Sequence, residues 1–223
     1  MSPMDHGHAQ ATGTGTGSGN GSGSRNGFHN LGVIVLAGGR GSRMGGVDKA
    51  QVEVGGRRLI DYFELHLHRA VPGCAAVAVS PHGVKWSHPV TCENPAFGGP
   101  VAGIAAGYQL LAKNPVLDTV AVLAVDAPHS PLLLPALAQR LHASPQASVS
   151  VIRDDTGRLQ PLCALWRRQS LSHALRALGE PRNKPVKALF DHATAVAEVH
   201  SPGTGWLRDY DTREDLEDFK PGV

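Results

Sequence analysis

The chain has little of what marks secreted, membrane-bound or nucleic-acid-binding proteins. Its three cysteines, Cys74, Cys92 and Cys163, are odd in number and far apart, with no CxxC pair. Neither a disulfide framework nor a zinc site is indicated, and a reducing compartment is expected. No apolar run approaches the roughly 18 residues of a membrane span. The N-terminus lacks a basic stretch followed by an apolar one, so no export signal is read and a soluble, cytoplasmic protein with no membrane partner is expected. A net charge of +2 is too small to imply a nucleic-acid partner, and outside one loop the basic residues are scattered.

What is present suits one globular domain. With 223 residues, 41% hydrophobic and 18% charged, the chain can bury a single good core. Residues 1–28 are different: Gly, Ser, Thr, Asn and Gln dominate, and almost no side chain there could offset the entropy of ordering it. A disordered tail is expected over 1–28 and a folded domain over 29–223. His6 and His8 in that tail are assigned no metal.

From Leu31 onward, short β-branched runs alternate with amphipathic segments, the pattern of βα units on a largely parallel sheet. Strands are predicted over Val33–Leu36, Ala75–Val79 and Thr119–Val125, with helices over Leu59–Arg69 and Pro131–Leu141. In such open sheets the ligand crevice lies at the carboxyl ends of the strands, so the loops at Ala37, Ser80 and Asp126 should converge.

The most informative stretch is Val33-Ile-Val-Leu-Ala-Gly-Gly-Arg-Gly-Ser-Arg-Met-Gly-Gly-Val-Asp-Lys49, an apolar strand running into a glycine-rich basic loop. Its glycines let backbone N–H groups approach phosphate oxygens, and Arg40, Arg43 and Lys49 supply countercharge. Met44 stands where a GxGxxG fingerprint needs its third glycine. Lys49 lies too far from the glycines, without a following Ser or Thr, for GxxxxGK[ST]. A third kind of phosphate loop remains. A second motif, Val120-Ala-Val-Leu-Ala-Val-Asp-Ala-Pro128, puts one carboxylate at the tip of a buried strand. There it can hold Mg²⁺ beside substrate phosphates or simply start the turn before Pro128.

The segment from Leu36 to Lys49 closely resembles the LAGGxxxRMGxxDK signature of nucleotidyltransferases with a Rossmann-like, three-layer α/β fold and a mostly parallel central sheet. Among them it most resembles the molybdenum cofactor guanylyltransferases, which transfer GMP from GTP to molybdopterin and release pyrophosphate. The resemblance implies that Leu36, Ala37, Gly38 and Gly39 hold the base and ribose, that Arg43 and Lys49 are catalytic cations, and that Asp126 carries Mg²⁺ at the triphosphate. Glu93-Asn94-Pro95-Ala96-Phe97-Gly98-Gly99-Pro100-Val101-Ala102-Gly103 resembles the family's Glu-Asp segment followed by GPLAG before a helix. Asn94 departs from the family's acid; a nucleotide contact is carried over to it, a charge-dependent role is not. The family's base-side asparagine aligns with Ser80, which fits either a base contact or a turn at Ser80-Pro81.

Gly157–Trp166 resembles the family's substrate-side strand. Asp209-Tyr-Asp-Thr-Arg-Glu-Asp-Leu216 resembles its terminal NxNTPEDL, with both asparagines replaced by aspartate. Asp211 or Asp209 is therefore a candidate second metal ligand. Thr212–Asp215 equally fits a capping box with Asp211 beside a helix N-terminus. The resemblance covers residues 31–219, and only the first loop is specific by itself. It implies GTP and molybdopterin as partners, with molybdoenzymes or cofactor-handling proteins as candidate protein partners. A cytidylyltransferase on the same acceptor, a sugar-1-phosphate nucleotidyltransferase and a catalytically silent GTP-binding regulator stay open as alternatives.

Overall fold

The structure is a computed structural model that describes residues 30–38 and 49–219. The expected tail and most of the glycine-rich loop, Gly39 and Arg43 included, lie outside the described residues.

The chain forms a seven-stranded sheet in the order β5-β4-β1-β6-β8-β7-β9. The strands are β1 (Leu31–Leu36), β4 (Ala75–Val79), β5 (Val90–Thr91), β6 (Thr119–Ala124), β7 (Val149–Arg153), β8 (Leu159–Arg167) and β9 (Val196–His200). A two-stranded hairpin, β2 (Glu53–Val54) with β3 (Arg57–Arg58), stands apart. All neighbours in the large sheet pair in parallel except β8, which is antiparallel to both β6 and β7. The fold class read from the sequence, three-layer α/β with a mostly parallel sheet, is the one observed.

Period-two alternation divides the core. Val33 and Val35 of β1, Ala121 and Leu123 of β6 and Leu165 of β8 face one side. Ile34, Val120, Val122, Ala164 and Trp166 face the other. The first face is covered by α1 (Leu59–Ala70) and α3 (Leu134–His142), and the second by α2 (Pro100–Leu111), α4 (Arg168–Leu178) and the short α5 (Lys187–Phe190). Burial on both faces explains why these strands read as continuous apolar runs. Gly107 lets α2 lie close on β1, since a Cβ there would stand 2.7 Å from Ile34 Cγ2. At the end of β8, Arg167 donates to the carbonyls of Leu141, Ser144 and Ala147, and Arg168 to those of Ala112, Pro115 and Leu117. The two guanidiniums thus tie the end of β8 to the segments at the C-terminal ends of α3 and α2, where positive charge is stabilising.

The helix expected over Pro131–Leu141 is two elements, a 3₁₀ turn at Ser130–Leu133 followed by α3. Pro135 has no N–H to offer the carbonyl of Pro131, so that carbonyl instead accepts from Leu134, one residue earlier. In β8 the register slips: Val151 opposes Ala164 while Ile152 opposes Gln160, leaving Pro161, Leu162 and Cys163 looped away from β7. Such bulges re-aim side chains beside active sites. Among the described residues no helix is long and apolar enough to cross a membrane.

His66 of α1 is buried at 2% exposure. Its Nδ1 lies 2.8 Å from the Pro128 carbonyl, and its ring stacks on His129 at 4.5 Å. An acceptor at that distance fixes the neutral ring with the proton on Nδ1, which donates. Burial, aided by Arg69 and opposed by the Pro128 bond, holds its pKa below the ordinary 6.5. The unfolded chain therefore takes up a proton as pH falls through 6.5 while the folded one does not. Stability contributed by His66 is complete above 6.5 and is lost as pH drops from there toward the lowered folded pKa, by up to about 1.4 kcal/mol per pH unit. Urea melts at pH 7.5 and pH 5.5 should show the loss in the wild type and a smaller one in His66→Phe; equal losses would remove His66 as the cause.

Candidate active site

The loops after β1, β4 and β6 converge as the sheet topology requires. Ala37 N–H donates to Val79 O (2.9 Å), Val125 N–H to Leu36 O (3.1 Å) and Ser80 N–H to Thr91 O (2.9 Å). These bonds carry the pairing one residue past the strands and fix the tips as a rigid rim. Beyond the rim lies a cavity of about 440 Å³ lined by Leu36, Gly38, Pro81, Glu93, Phe97, Gly99, Pro100, Leu162, Asp126 and Asn183, among others. Its size and mixed lining suit a nucleotide's base and ribose. Gly38 is required by the protein itself, because a Cβ there would stand 2.2 Å from Pro81 Cδ. Along one wall the first turn of α2 opens on the cavity: Gly99 is its N-cap and Pro100 its first residue. N–H groups of that turn are oriented toward any acceptor placed there.

Charge gathers at one end of this cavity. Lys49, in a 3₁₀ turn at Lys49–Gln51, reaches Asp126 with Nζ 3.0 Å from Oδ2 and also bonds the carboxylate of Asp211. Partial burial works against the ammonium, but the charge of Asp126 and hydrogen bonds to Asp211 and Asp126 outweigh it, and the Lys49 pKa is raised. Asp126 follows β6, and its own carbonyl accepts from Tyr210 N–H (2.9 Å), which ties the C-terminal segment to the strand tip. Asp209 joins the cluster. Desolvation by surrounding protein, then the negative charges of Asp126 and Asp211, push its carboxyl up to about 6, although the residue keeps a face to solvent.

Of the two readings of Asp211, the structure bears on the capping box. The capping box is formed, with Thr212 Oγ1 accepting from Asp215 N–H (3.1 Å) and Asp215 Oδ2 accepting from Thr212 N–H (2.9 Å), at the start of α6 (Arg213–Glu217). Asp211 donates its backbone N–H to Asp215, and its carboxylate meets Lys49. Among the described residues no group of three or more His, Cys, Asp or Glu side chains stands in a metal-holding arrangement. The donors are nonetheless of the right kind. Asp126 and Asp211, with Asp209 beside them, offer hard carboxylate oxygens of the sort that bind a dication completing its shell with water and substrate phosphate.

The structure brings together Leu36, Gly38, Lys49, Asp126 and Asp211, while Ala37, buried beside them, is held by the Val79 bond. Ser80 is 3% exposed and its hydroxyl accepts from His82 N–H (3.3 Å), so the hydroxyl serves the turn. Asn94 is exposed and is not among the residues lining the cavity. Its neighbour Glu93 is, with Oε1 accepting from Gly98 N–H at 3.0 Å. Glu93, Phe97, Leu162 and Asn183 were not singled out by sequence reasoning. Asn183 and Phe97 both have left-handed backbone, φ +56 and +58, and the Asn183 N–H bonds Gly98 O at 2.6 Å. An Asn after Pro-Arg is a recognisable turn signal, but nothing in the sequence says that this turn closes on residue 98.

Residues 33–196 match the family described as MobA-like NTP transferase domain. The chain is 37% identical over 144 residues to a molybdenum cofactor guanylyltransferase from Acidiphilium cryptum, covering 61% of this chain and 67% of that protein. It is 34% identical over 140 residues to a protein of the same name from Rhodopseudomonas palustris, covering 60% of this chain and 64% of that one. In architecture it is similar to the crystal structure of molybdopterin-guanine dinucleotide biosynthesis protein A from Archaeoglobus fulgidus, with a TM-score of 0.61 at 18% identity over 84% of this chain and 95% of that one. The family match extends from the middle of β1 to the first residue of β9 and takes in the strand tip at Asp126, and the chain belongs to the MobA-like NTP transferase domain family.

Proposed function

We propose that the chain transfers GMP from GTP to a molybdopterin-type molybdenum cofactor in a Mg²⁺-dependent reaction that releases pyrophosphate. One observation carries this reading: Lys49 is held between Asp126 and Asp211 at the end of a nucleotide-sized cavity, in a family whose relatives bear the guanylyltransferase name. The same reading makes the protein cytoplasmic, with proteins that supply or receive the cofactor as its partners.

The reaction is in-line attack of an acceptor phosphate oxygen on the α-phosphorus. The attacker is already anionic, so catalysis rests on positioning and charge neutralisation rather than on a general base. Asp126 and Asp211 would hold Mg²⁺, which when bound neutralises charge on the phosphates. Lys49, fixed by two carboxylates, presents its cation with little freedom left to lose. Arg43, assigned from the signature loop, meets charge building on the leaving pyrophosphate. Leu36 to Gly39 and the first turn of α2 receive base and ribose. With no Cβ at residue 38, Pro81 rests back against the loop, and the base end of the cavity keeps its width for a purine.

Pyrophosphate release with each of the four NTPs and Mg²⁺, with and without metal-loaded molybdopterin, tests the reading. Turnover is expected only with acceptor present. GTP should bind at least tenfold more tightly than CTP, a difference of about 1.4 kcal/mol, as measured by calorimetric titration. A preference for CTP would move the assignment to a cytidylyltransferase, and nucleotide binding without turnover on any phosphate acceptor to a GTP-binding regulator.

A further inference from the structure

Beside the nucleotide cavity lies a smaller one of about 160 Å³, and Ala124, Asp126 and Leu162 line both. Ser130 lines the smaller cavity, is completely buried, and its hydroxyl has no hydrogen-bond partner among the described residues. Its backbone N–H is already committed to Ala127 O (2.9 Å), so only the hydroxyl remains available. Buried hydroxyls are almost always bonded, and one left over in a cavity beside an active site points to a ligand. Gln160 and Asp209 supply further polar atoms, with Gln160 anchored by its Nε2 to Asp154 Oδ2 (2.6 Å). The bulge that loops Pro161, Leu162 and Cys163 away from β7 turns this stretch into an apolar wall.

The chemistry of this lining is selective. The carboxylates of Asp126 and Asp209 at its edge disfavour an anion inside it, while apolar walls with a few neutral polar groups accept an uncharged, hydroxyl- or ring-nitrogen-bearing body. With base and ribose in the larger cavity, the side left at Asp126 for an attacking group is this one. We infer that the small cavity is the acceptor subsite: it takes the uncharged part of a phosphomonoester acceptor adjoining the phosphate, and the Ser130 hydroxyl is its hydrogen-bonding anchor. The inference rests on the nucleotidyltransferase reading above.

The test is Ser130→Ala beside wild type, with three readouts: GTP affinity by calorimetry, melting temperature, and steady-state transfer to metal-loaded molybdopterin and to a hexose 1-phosphate. The expected result is a KM for the acceptor raised at least tenfold, with GTP affinity within twofold of wild type and melting temperature unchanged or higher, since no protein partner loses a bond. Ser130→Thr, which keeps the hydroxyl, should restore most of the acceptor KM. An unchanged acceptor KM overturns the subsite, as does an equal loss of GTP affinity or a drop in melting temperature of more than about 5 °C, which would mark Ser130 as structural. Failure of wild type to transfer to either acceptor would instead overturn the functional reading on which the subsite depends.

Discussion

Replacing Asp126 with alanine is expected to leave the fold standing and to remove Mg²⁺-dependent turnover. The bond that ties Asp126 to the C-terminal segment runs from Tyr210 N–H to its carbonyl, which alanine keeps. The lost side chain is partly exposed and packs little. Nor does the change strand a buried cation, because Lys49 retains Asp211. What disappears is the carboxylate proposed to hold the metal. Loss of one preorganised electrostatic contact in such a site is worth about 3–4 kcal/mol, a factor of about 10²–10³ in rate. Melting temperature, pyrophosphate release and Mn²⁺ affinity followed by electron paramagnetic resonance check this together. A folded Asp126→Ala protein with wild-type rate or wild-type Mn²⁺ affinity would show that the strand tip does not hold the metal.

Lys49→Ala should act on the same reaction by the opposite route. It removes about 3 kcal/mol of charge stabilisation, roughly a hundredfold in kcat, yet it should not weaken the metal. With the ammonium gone, Asp126 and Asp211 lose the cation they share, and a dication placed there relieves their mutual repulsion. Mn²⁺ affinity is therefore expected to hold or tighten while kcat falls. If Mn²⁺ affinity fell in parallel with kcat, Lys49 would be an organiser of the carboxylates rather than a cation used on the phosphates.

The elements most legible in the sequence were those with one unambiguous period. Strands β1, β4 and β6 are buried on both faces, and their β-branched runs stop where glycine, Ser-Pro or Asp-Ala-Pro breaks them, so they were placed to within two residues. The same clarity placed α1, while the start of α2 at Pro100 came from the resemblance to GPLAG before a helix. Less could be read where tertiary contacts set the outcome. Nothing local tells β8 to run antiparallel between two parallel neighbours, and nothing local announces the slip that pushes Leu162 into the site. In the site, Lys49 and Asp126 were legible because cations in a glycine-rich loop and a carboxylate at a strand tip have specific uses. Ser80 illustrates the converse. Its side chain suited both a base and a turn, and the hydrogen bond to His82 depends on a local backbone path that composition does not encode. Ser130 carried no signal at all, since its significance lies in a buried hydroxyl left unbonded among the described residues.

The charge cluster joins residues 162 positions apart, Lys49 and Asp211, and the carbonyl of Asp126 is secured from Tyr210. The aromatic ring of Tyr210 meanwhile sits with Leu59, Tyr62 and Phe219 in a small apolar cluster of its own. A chain emerging from the ribosome N-terminus first can thus bring the tips of β1, β4 and β6 together before it can complete the charged centre. Until the segment around residue 211 is released and docks, Lys49 can meet Asp126 but not Asp211, so the charged centre is completed only after the strand tips that surround it.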